Sequence, residues 1–240
     1  MKELNISEKL KNRIQDFLKR LERAYGQELI SVALYGSAAS SEFIDKHSNL
    51  NFLIVLKSTD CHHLHKATDI VQKFPLFEPI FMTEQYISSS TDIFPIEFLD
   101  MKENNNLLFG KDVLSAIEID TKNLRFQCEQ EIKIKLLSLK NAYLRMYKDK
   151  TVLRNLLFKA STSILHISRN LLRLKNKPAL YKKEEVISSL GAEFQINVAV
   201  WKKILGAKNK TIKLNNQETG QVFQEFVKEV EKLADCVDRL

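Results

Sequence analysis

The residues of this chain best suited to binding a phosphate group are a glycine–serine turn and a pair of asparagines that follows it. Gly36 and Ser37 end one apolar run (residues 29–35), and Ser-Asn-Leu-Asn opens the next (residues 50–56). Glycine lets the backbone approach a phosphate without a Cβ atom in the way, and serine offers a hydroxyl and an amide. Strand alternation places residues 49 and 51 on one face. Gly36, Ser37, Ser48, Asn49 and Asn51 are therefore the candidates to bind a phosphate group.

The order of these parts resembles the DNA polymerase β-type nucleotidyltransferase superfamily. Its signature is an apolar strand, Gly-Ser, a spacer, Ser-Asp-x-Asp and a second apolar strand, and the resemblance covers roughly residues 29–100. The resemblance implies an α+β protein, in which a mixed-sheet nucleotidyltransferase-like domain is followed by an all-α helical bundle domain. It also implies Mg²⁺ and a nucleoside triphosphate as ligands.

The chain departs from this signature at the acids. Asn49 and Asn51 keep a carbonyl oxygen but lose two negative charges, and Mg²⁺ normally needs carboxylate or phosphate ligands. The superfamily takes a third carboxylate from a neighbouring strand. Glu97 is the best match, because residues 93–99 are predicted as a strand in which Glu97 alternates with Ile96 and Phe98. Glu97 is the predicted catalytic residue, and Glu97 and Asp100 are the predicted metal ligands.

Three hypotheses for function follow from these residues. The favoured one is a nucleotidyltransferase-fold protein that has lost transferase chemistry, is not an enzyme, and retains at most nucleotide or phosphate binding. The second is a working transferase that moves a nucleoside monophosphate from a triphosphate to a hydroxyl acceptor, with Glu97, Asp100 or Asp45 around one metal ion. The third is a module that binds protein or nucleic acid through its basic helical half.

The periodicity of apolar residues divides the chain into a mixed half and a helical half. Helical spacing predicts a first helix over residues 6–25, and Asp60 is predicted to cap a helix that continues to Phe74. Residues 107–112 resemble the turn that closes the nucleotidyltransferase domain. Beyond residue 120 long amphipathic stripes predict four or five helices, with a weak strand over residues 211–214. The predicted domains are residues 1–118 and 119–240.

Charge is distributed unevenly between the two halves. The net charge of the 240-residue chain is +7. Residues 1–120 hold 13 Lys and Arg against 18 Asp and Glu, and residues 121–240 hold 24 against 12. The basic residues between 133 and 183 make nucleic acid a candidate partner, although solvated faces of lysine-rich helices are the commoner cause of such an excess.

The remaining composition points to a cytoplasmic protein that does not enter a membrane. Three widely spaced cysteines argue against a disulfide framework. No apolar run reaches the roughly 18 residues that a membrane span needs. A cluster with metal-ligand residue types, Cys61, His62, His63 and His65, lacks a second pair of ligands nearby, so an ordinary helix start is the preferred interpretation over a zinc site.

Overall fold

The computed structural model describes residues 6–39, 49–178 and 180–240. The chain forms two units, of which the first ends at Asp120 and the second begins with Thr121. The first unit combines a four-stranded mixed sheet with helices, and the second is helical, so the protein is of the α+β class. Within the described ranges, no helix is long and apolar enough to cross a membrane.

The sheet of the first unit has the strand order β3-β2-β1-β4. Strand β1 is antiparallel to both of its neighbours, whereas β2 and β3 are parallel. The elements in chain order are α1 (Glu8–Tyr25), β1 (Leu29–Tyr35), β2 (Leu50–Leu56), α2 (Cys61–His65), α3 (Thr68–Lys73), β3 (Phe77–Met82), α4 (Glu84–Ser89), α5 (Pro95–Glu103) and β4 (Asn105–Gly110). The predicted strands β1 and β2 are confirmed with the expected bounds.

Apolar clusters cover both faces of this sheet. On one face Phe17 and Leu21 of α1 pack against Phe52 and Phe77. On the other face residues from α4 and α5, Phe98 among them, pack against alternate strand residues. Because both faces are buried, β2 is a nearly continuous apolar run. Asn51 is the one polar residue of that run and is half-buried.

The second unit is built around a buried central helix, α7. Its Leu157, Ile164 and Leu171 side chains are fully buried, and the Trp201 ring lies 4.8 Å from that of Phe226. The helices are α6 (Thr121–Met146), α7 (Lys150–Leu174), α8 (Lys183–Phe194), α9 (Val198–Lys208) and α10 (Asn216–Val237). The helical half predicted from the stripes is therefore confirmed.

The strand predicted over residues 93–99 is wrong, because Pro95 begins helix α5. Proline fits the first helical position, where its fixed φ suits the helix and its missing N–H has no helical partner to lose. A short apolar run cannot be assigned to strand or helix by periodicity alone. Glu97 and Asp100 consequently lie on a helix, and the strand alternation that selected Glu97 does not apply.

Three smaller predictions also differ from the structure. The helix expected from Asp60 to Phe74 is two short helices, α2 and α3, although Asp60 does cap the first by accepting a hydrogen bond from the His63 amide. Residues 107–110 belong to edge strand β4 rather than to a closing turn. Residues 211–214 form no strand, since they connect α9 to α10 without a strand partner among the described residues.

Candidate functional site

The turn after β1 depends on Gly36. Its φ of +76° is a conformation that residues with a Cβ atom rarely adopt. A Cβ atom placed there would lie 3.0 Å from Nδ2 of Asn51. The Gly36 amide donates a hydrogen bond of 3.2 Å to the carbonyl of Asn104. The turn is thus held against both β2 and the segment before β4, with its backbone bare of side chain at the contact.

A row of polar side chains crosses the sheet beside this turn. Tyr35 on β1 pairs with Asn51 on β2 and with Asn105 on β4, and Asn51 pairs in turn with Glu78 on β3. Paired residues in adjacent strands point to the same face. The four residues, which we call the polar row, therefore share the face that α4 and α5 cover.

Glu78 supplies the negative charge of the polar row. One of its carboxylate oxygens accepts a hydrogen bond of 3.1 Å from the side-chain amide of Asn49. Glu78 also lies near enough to Tyr35 to act on its phenol: burial, and then the charge of Glu78, raise the pKa of Tyr35 above its ordinary value. Since a neutral phenol donates a hydrogen bond, Tyr35 is a donor at neutral pH.

Asn105 connects the polar row to helix α5. Its side-chain amide donates hydrogen bonds of 2.9 Å and 3.1 Å to the carbonyls of Met101 and Lys102 in the last turn of α5. These carbonyls have no partner within the helix, so Asn105 satisfies two of them. The same helix carries half-buried Asp100 directly before Met101, and exposed Glu97 about one turn before it.

The structure brings some of the predicted site residues together. Gly36, Asn49 and Asn51 lie at one end of β1 and β2, as the motif predicts. The side chain of Ser37 is not among those described, and Ser48 lies outside the described residues. Glu97 and Asp100 remain predictions as metal ligands, now on a helix.

Glu78 is the site residue that sequence reasoning missed. Its signal in the sequence is a carboxylate next to an apolar residue, Phe77, at the start of the run that forms β3. What the sequence did not give was the partner of that strand. Only the parallel pairing of β3 with β2 sets Glu78 opposite Asn51.

One residue of the histidine cluster in α2, His63, takes part in helix capping. His63 donates its amide to Asp60, and its ring Nδ1 lies 2.9 Å from the same carboxylate. Among the described residues there is no group of three or more His, Cys, Asp and Glu side chains that could hold a metal ion.

Several cations of the basic helical half are engaged in ion pairs. Lys133 contacts both Glu129 and Asp238 at 2.7 Å. Further pairs are Lys140–Glu231, Lys177–Glu193 and Lys203–Glu218. These pairs neutralise part of the charge that suggested a nucleic-acid partner.

Comparison with known proteins identifies the fold. No family model matches the chain, and no curated protein sequence matches it. Among solved structures, the spectinomycin adenyltransferase AAD(9) from Enterococcus faecialis, determined with ATP and spectinomycin, is similar with a TM-score of 0.60 and 13% identity. The match covers 92% of this chain and 99% of that one. The chain therefore has a nucleotidyltransferase-like fold, an α+β domain followed by helices.

Proposed function

We propose that this protein binds a nucleotide at the Gly36 turn and the polar row, and that its ability to transfer a nucleotidyl group is lost or strongly reduced. The observation that carries the proposal is the hydrogen bond from Asn49 to Glu78. The carboxylate of Glu78 thus contacts a neutral amide at residue 49, the position of the first acid in the motif that the chain resembles. The similarity to an adenyltransferase solved with ATP supports the nucleotide as ligand.

The described residues do not fit a site for two metal ions. Asn49 and Asn51 are neutral, and Glu78 brings a single negative charge that already accepts the Asn49 amide. Two divalent cations carry four positive charges, and Mg²⁺ gives up its waters reluctantly unless carboxylates or phosphates replace them. The described residues therefore do not support catalysis by a pair of metal ions.

The same residues suit direct recognition of phosphate oxygens. The Gly36 turn offers backbone without a Cβ atom, and the Asn51 amide beside it is a neutral donor. A donor amide at residue 51 attracts a phosphate oxygen that an aspartate at the same position would repel without a bridging cation. Exchange of acids for amides thus converts a cation-dependent site into one that can hold phosphate without a cation.

A second candidate function rests on the exposure of Glu78. An exposed carboxylate next to the Gly36 turn can take a proton from an acceptor hydroxyl, as a general base does. The protein would then remain a transferase that moves a nucleoside monophosphate from a triphosphate to a hydroxyl acceptor, with at most one metal ion. The neighbour's acceptor is spectinomycin, so hydroxyl-bearing small molecules are the first acceptors to test.

Calorimetric titration with ATP, GTP, CTP and UTP, each with and without Mg²⁺, tests the proposal. We expect one nucleotide to bind with little dependence on Mg²⁺. Strict dependence on Mg²⁺ together with release of pyrophosphate would contradict the proposal and favour the transferase. No binding of any nucleotide would reject both functions for this site.

The variant Glu78→Gln separates the two functions because they predict opposite results. In metal-free binding the carboxylate repels the triphosphate, so its removal should raise affinity by about fivefold, the effect of one unit charge a few ångströms away in water. In the transferase Glu78→Gln should abolish turnover. Glu84→Gln, an exposed carboxylate at the other end of β3, is the matched control and should change neither quantity.

A further inference from the structure

A second concentration of phosphate-binding residue types lies on the opposite side of the sheet, between α1 and the end of α3. A surface cavity of about 400 Å³ is lined by Lys9, Asn12, Arg13, Asp16, Lys73 and Phe74. Pockets of this size hold small organic ligands. None of these residues belongs to the Gly36 turn or to the polar row.

Arg13 is fixed in this cavity by aromatic rings. Its guanidinium carbon lies 5.7 Å from the ring centre of Phe74 and 5.5 Å from that of Phe77. The two rings are stacked on one another at 5.1 Å and are almost completely buried. A guanidinium held over a rigid aromatic floor loses little conformational freedom when it binds a ligand.

The charges around Arg13 are not balanced by acids. Lys9 lies one turn before Arg13 on α1, and Lys73 ends α3. The one acid in the lining, Asp16, is engaged by Arg20 at 3.1 Å. Within the described part of the chain, the contacts of Arg13 are the two cation–π contacts, and no carboxylate lies within ion-pair distance of it.

This cationic group stands out because its unit is acidic. Residues 1–120 carry 13 Lys and Arg against 18 Asp and Glu, a net charge of −5. Three of those 13 cations line a single cavity of about 400 Å³. Three like charges around a cavity whose one acid is paired with Arg20 repel one another, and an anionic ligand reduces that repulsion.

We propose that this cavity binds the phosphate group of a small molecule. The planar fork of Arg13 can donate two parallel hydrogen bonds to phosphate oxygens, Lys9 and Lys73 add charge, and Asn12 adds a neutral donor. Phe77 faces α1, whereas its neighbour Glu78 belongs to the polar row, so the cavity and the polar row lie on opposite faces of the sheet.

Pyrophosphate is the probe, and the side-chain Nε–Hε signal of Arg13 is the readout. The full chain is labelled with ¹⁵N at arginine, and the Arg13 signal is identified as the one missing from the spectrum of Arg13→Lys. We expect pyrophosphate to shift this signal saturably while the signal of Arg23, in the last turn of α1 and outside the cavity lining, stays in place. A dissociation constant read from Arg13 itself is independent of any binding at Gly36.

Charge variants complete the test. Lys9→Gln combined with Lys73→Gln should weaken pyrophosphate binding by about tenfold, because two exposed positive charges that attract the anion are lost. Both side chains are exposed, so the fold should be unaffected. Lys19→Gln combined with Arg23→Gln removes the same charge from exposed positions of the same helix outside the cavity lining and should leave the affinity within about twofold.

Three results would overturn the proposal: a shift of Arg13 that does not saturate, an equal shift of Arg23, or unchanged affinity in the double lysine variant. A single-stranded oligonucleotide that shifts Arg13 at far lower concentration than pyrophosphate, with a steep salt dependence, would identify a polyanion surface and reject the small-molecule ligand.

Discussion

Gly36 and Asn51 pack so closely that a methyl group on residue 36 would lie 3.0 Å from the Asn51 amide nitrogen. The amide therefore sits against bare backbone, at the point where β1 turns and β2 begins its apolar run. This contact links the glycine of the sequence motif to its second asparagine. It also makes the motif testable by a single methyl group.

Gly36→Ala should weaken nucleotide binding and lower the free energy of unfolding by about 1–2 kcal/mol. The destabilisation follows because alanine must adopt a positive φ, and the binding loss follows because the methyl group displaces Asn51. Chemical denaturation and nucleotide titration measure the two effects.

Gly26→Ala is the matched control for this prediction. Gly26 also has a positive φ, of +52°, but an added Cβ atom meets nothing within 4 Å. It should lose stability and keep its nucleotide affinity. Equal loss of affinity in both variants would mean that strain in the fold, and not the contact with Asn51, governs binding.

Gly110→Ala should be far more damaging, with a loss above about 3 kcal/mol. Gly110 ends β4 with a φ of +75°, and an added Cβ atom would collide with the backbone carbonyl of Ile30. The clash cannot be relieved by a side-chain rotation, so β4 must separate from β1. Urea denaturation measures the loss, and a cost similar to that of Gly26→Ala would contradict the β1–β4 register.

Elements with clear periodicity were predictable from the sequence. The stripe that includes Ile14, Phe17 and Leu21 predicted α1, and those three residues are almost fully buried. The β-branched runs predicted β1 and β2 with their observed bounds. In each case the local pattern and the tertiary packing favour the same structure.

The composition of the site was only partly predictable, because it depends on which strands become neighbours. Asn49 and Asn51 could be placed on one face by alternation alone. Glu78 enters the site through the parallel pairing of β3 with β2, a contact between residues 27 positions apart in the case of Asn51. Glu97 is a candidate only if the proline-containing run over residues 93–99 is a strand, and that run instead leads into helix α5.

Acid should destabilise the start of α2 through Asp60. A hydrogen bond from the His63 amide, followed by bonds from the His63 ring and Ser58, holds the pKa of Asp60 well below its ordinary value of 3.8. Between the folded and unfolded pKa values the unfolded chain binds more protons, so the contribution is complete well above pH 3.8 and is lost as the pH falls below it.

Asp60→Asn isolates this effect, because asparagine still accepts the capping hydrogen bond but does not titrate. The difference in melting temperature between the parent protein and Asp60→Asn should be constant near neutral pH. As the pH falls below the ordinary aspartate pKa, the melting temperature of the parent protein should fall relative to that of Asp60→Asn. Melting curves that stay parallel down to acidic pH would contradict the role given to Asp60.

In the helical unit, Glu229→Ala should cost about 2 kcal/mol of unfolding free energy, because it removes a buried acceptor from two donors. Glu229 accepts hydrogen bonds of 2.6 Å from the Asn197 amide at the start of α9 and 2.8 Å from Lys232. Glu231→Ala removes an exposed ion pair with Lys140 from the same helix and should cost less than about 1 kcal/mol. Equal costs in thermal denaturation would mean that the bond to α9 contributes nothing.

Replacing Asn49 and Asn51 by aspartate should create a cation site. In the double variant Asn49→Asp, Asn51→Asp, three carboxylates would meet at the ends of β2 and β3, since Asn49 already contacts Glu78 and Asn51 is its strand partner. Repulsion among them should make the metal-free variant less stable than the parent at neutral pH. Mg²⁺ or Mn²⁺ at about 100 times its dissociation constant should then stabilise it by about 2.7 kcal/mol, a gain that the parent lacks.

Adding Glu78→Gln to the double variant shows whether Glu78 is part of that site. If it is, the triple variant should lose most of the cation-dependent stabilisation, because the third carboxylate is gone. Adding Glu84→Gln in its place should leave the stabilisation intact, since Glu84 lies at the opposite end of the parallel strands. The cation-dependent stabilisation of all three variants is measured as the rise in melting temperature with increasing Mn²⁺ concentration. If Mn²⁺ does not stabilise the double variant, the prediction is wrong: adding negative charge at residues 49 and 51 beside Glu78 is not enough to bind a divalent cation.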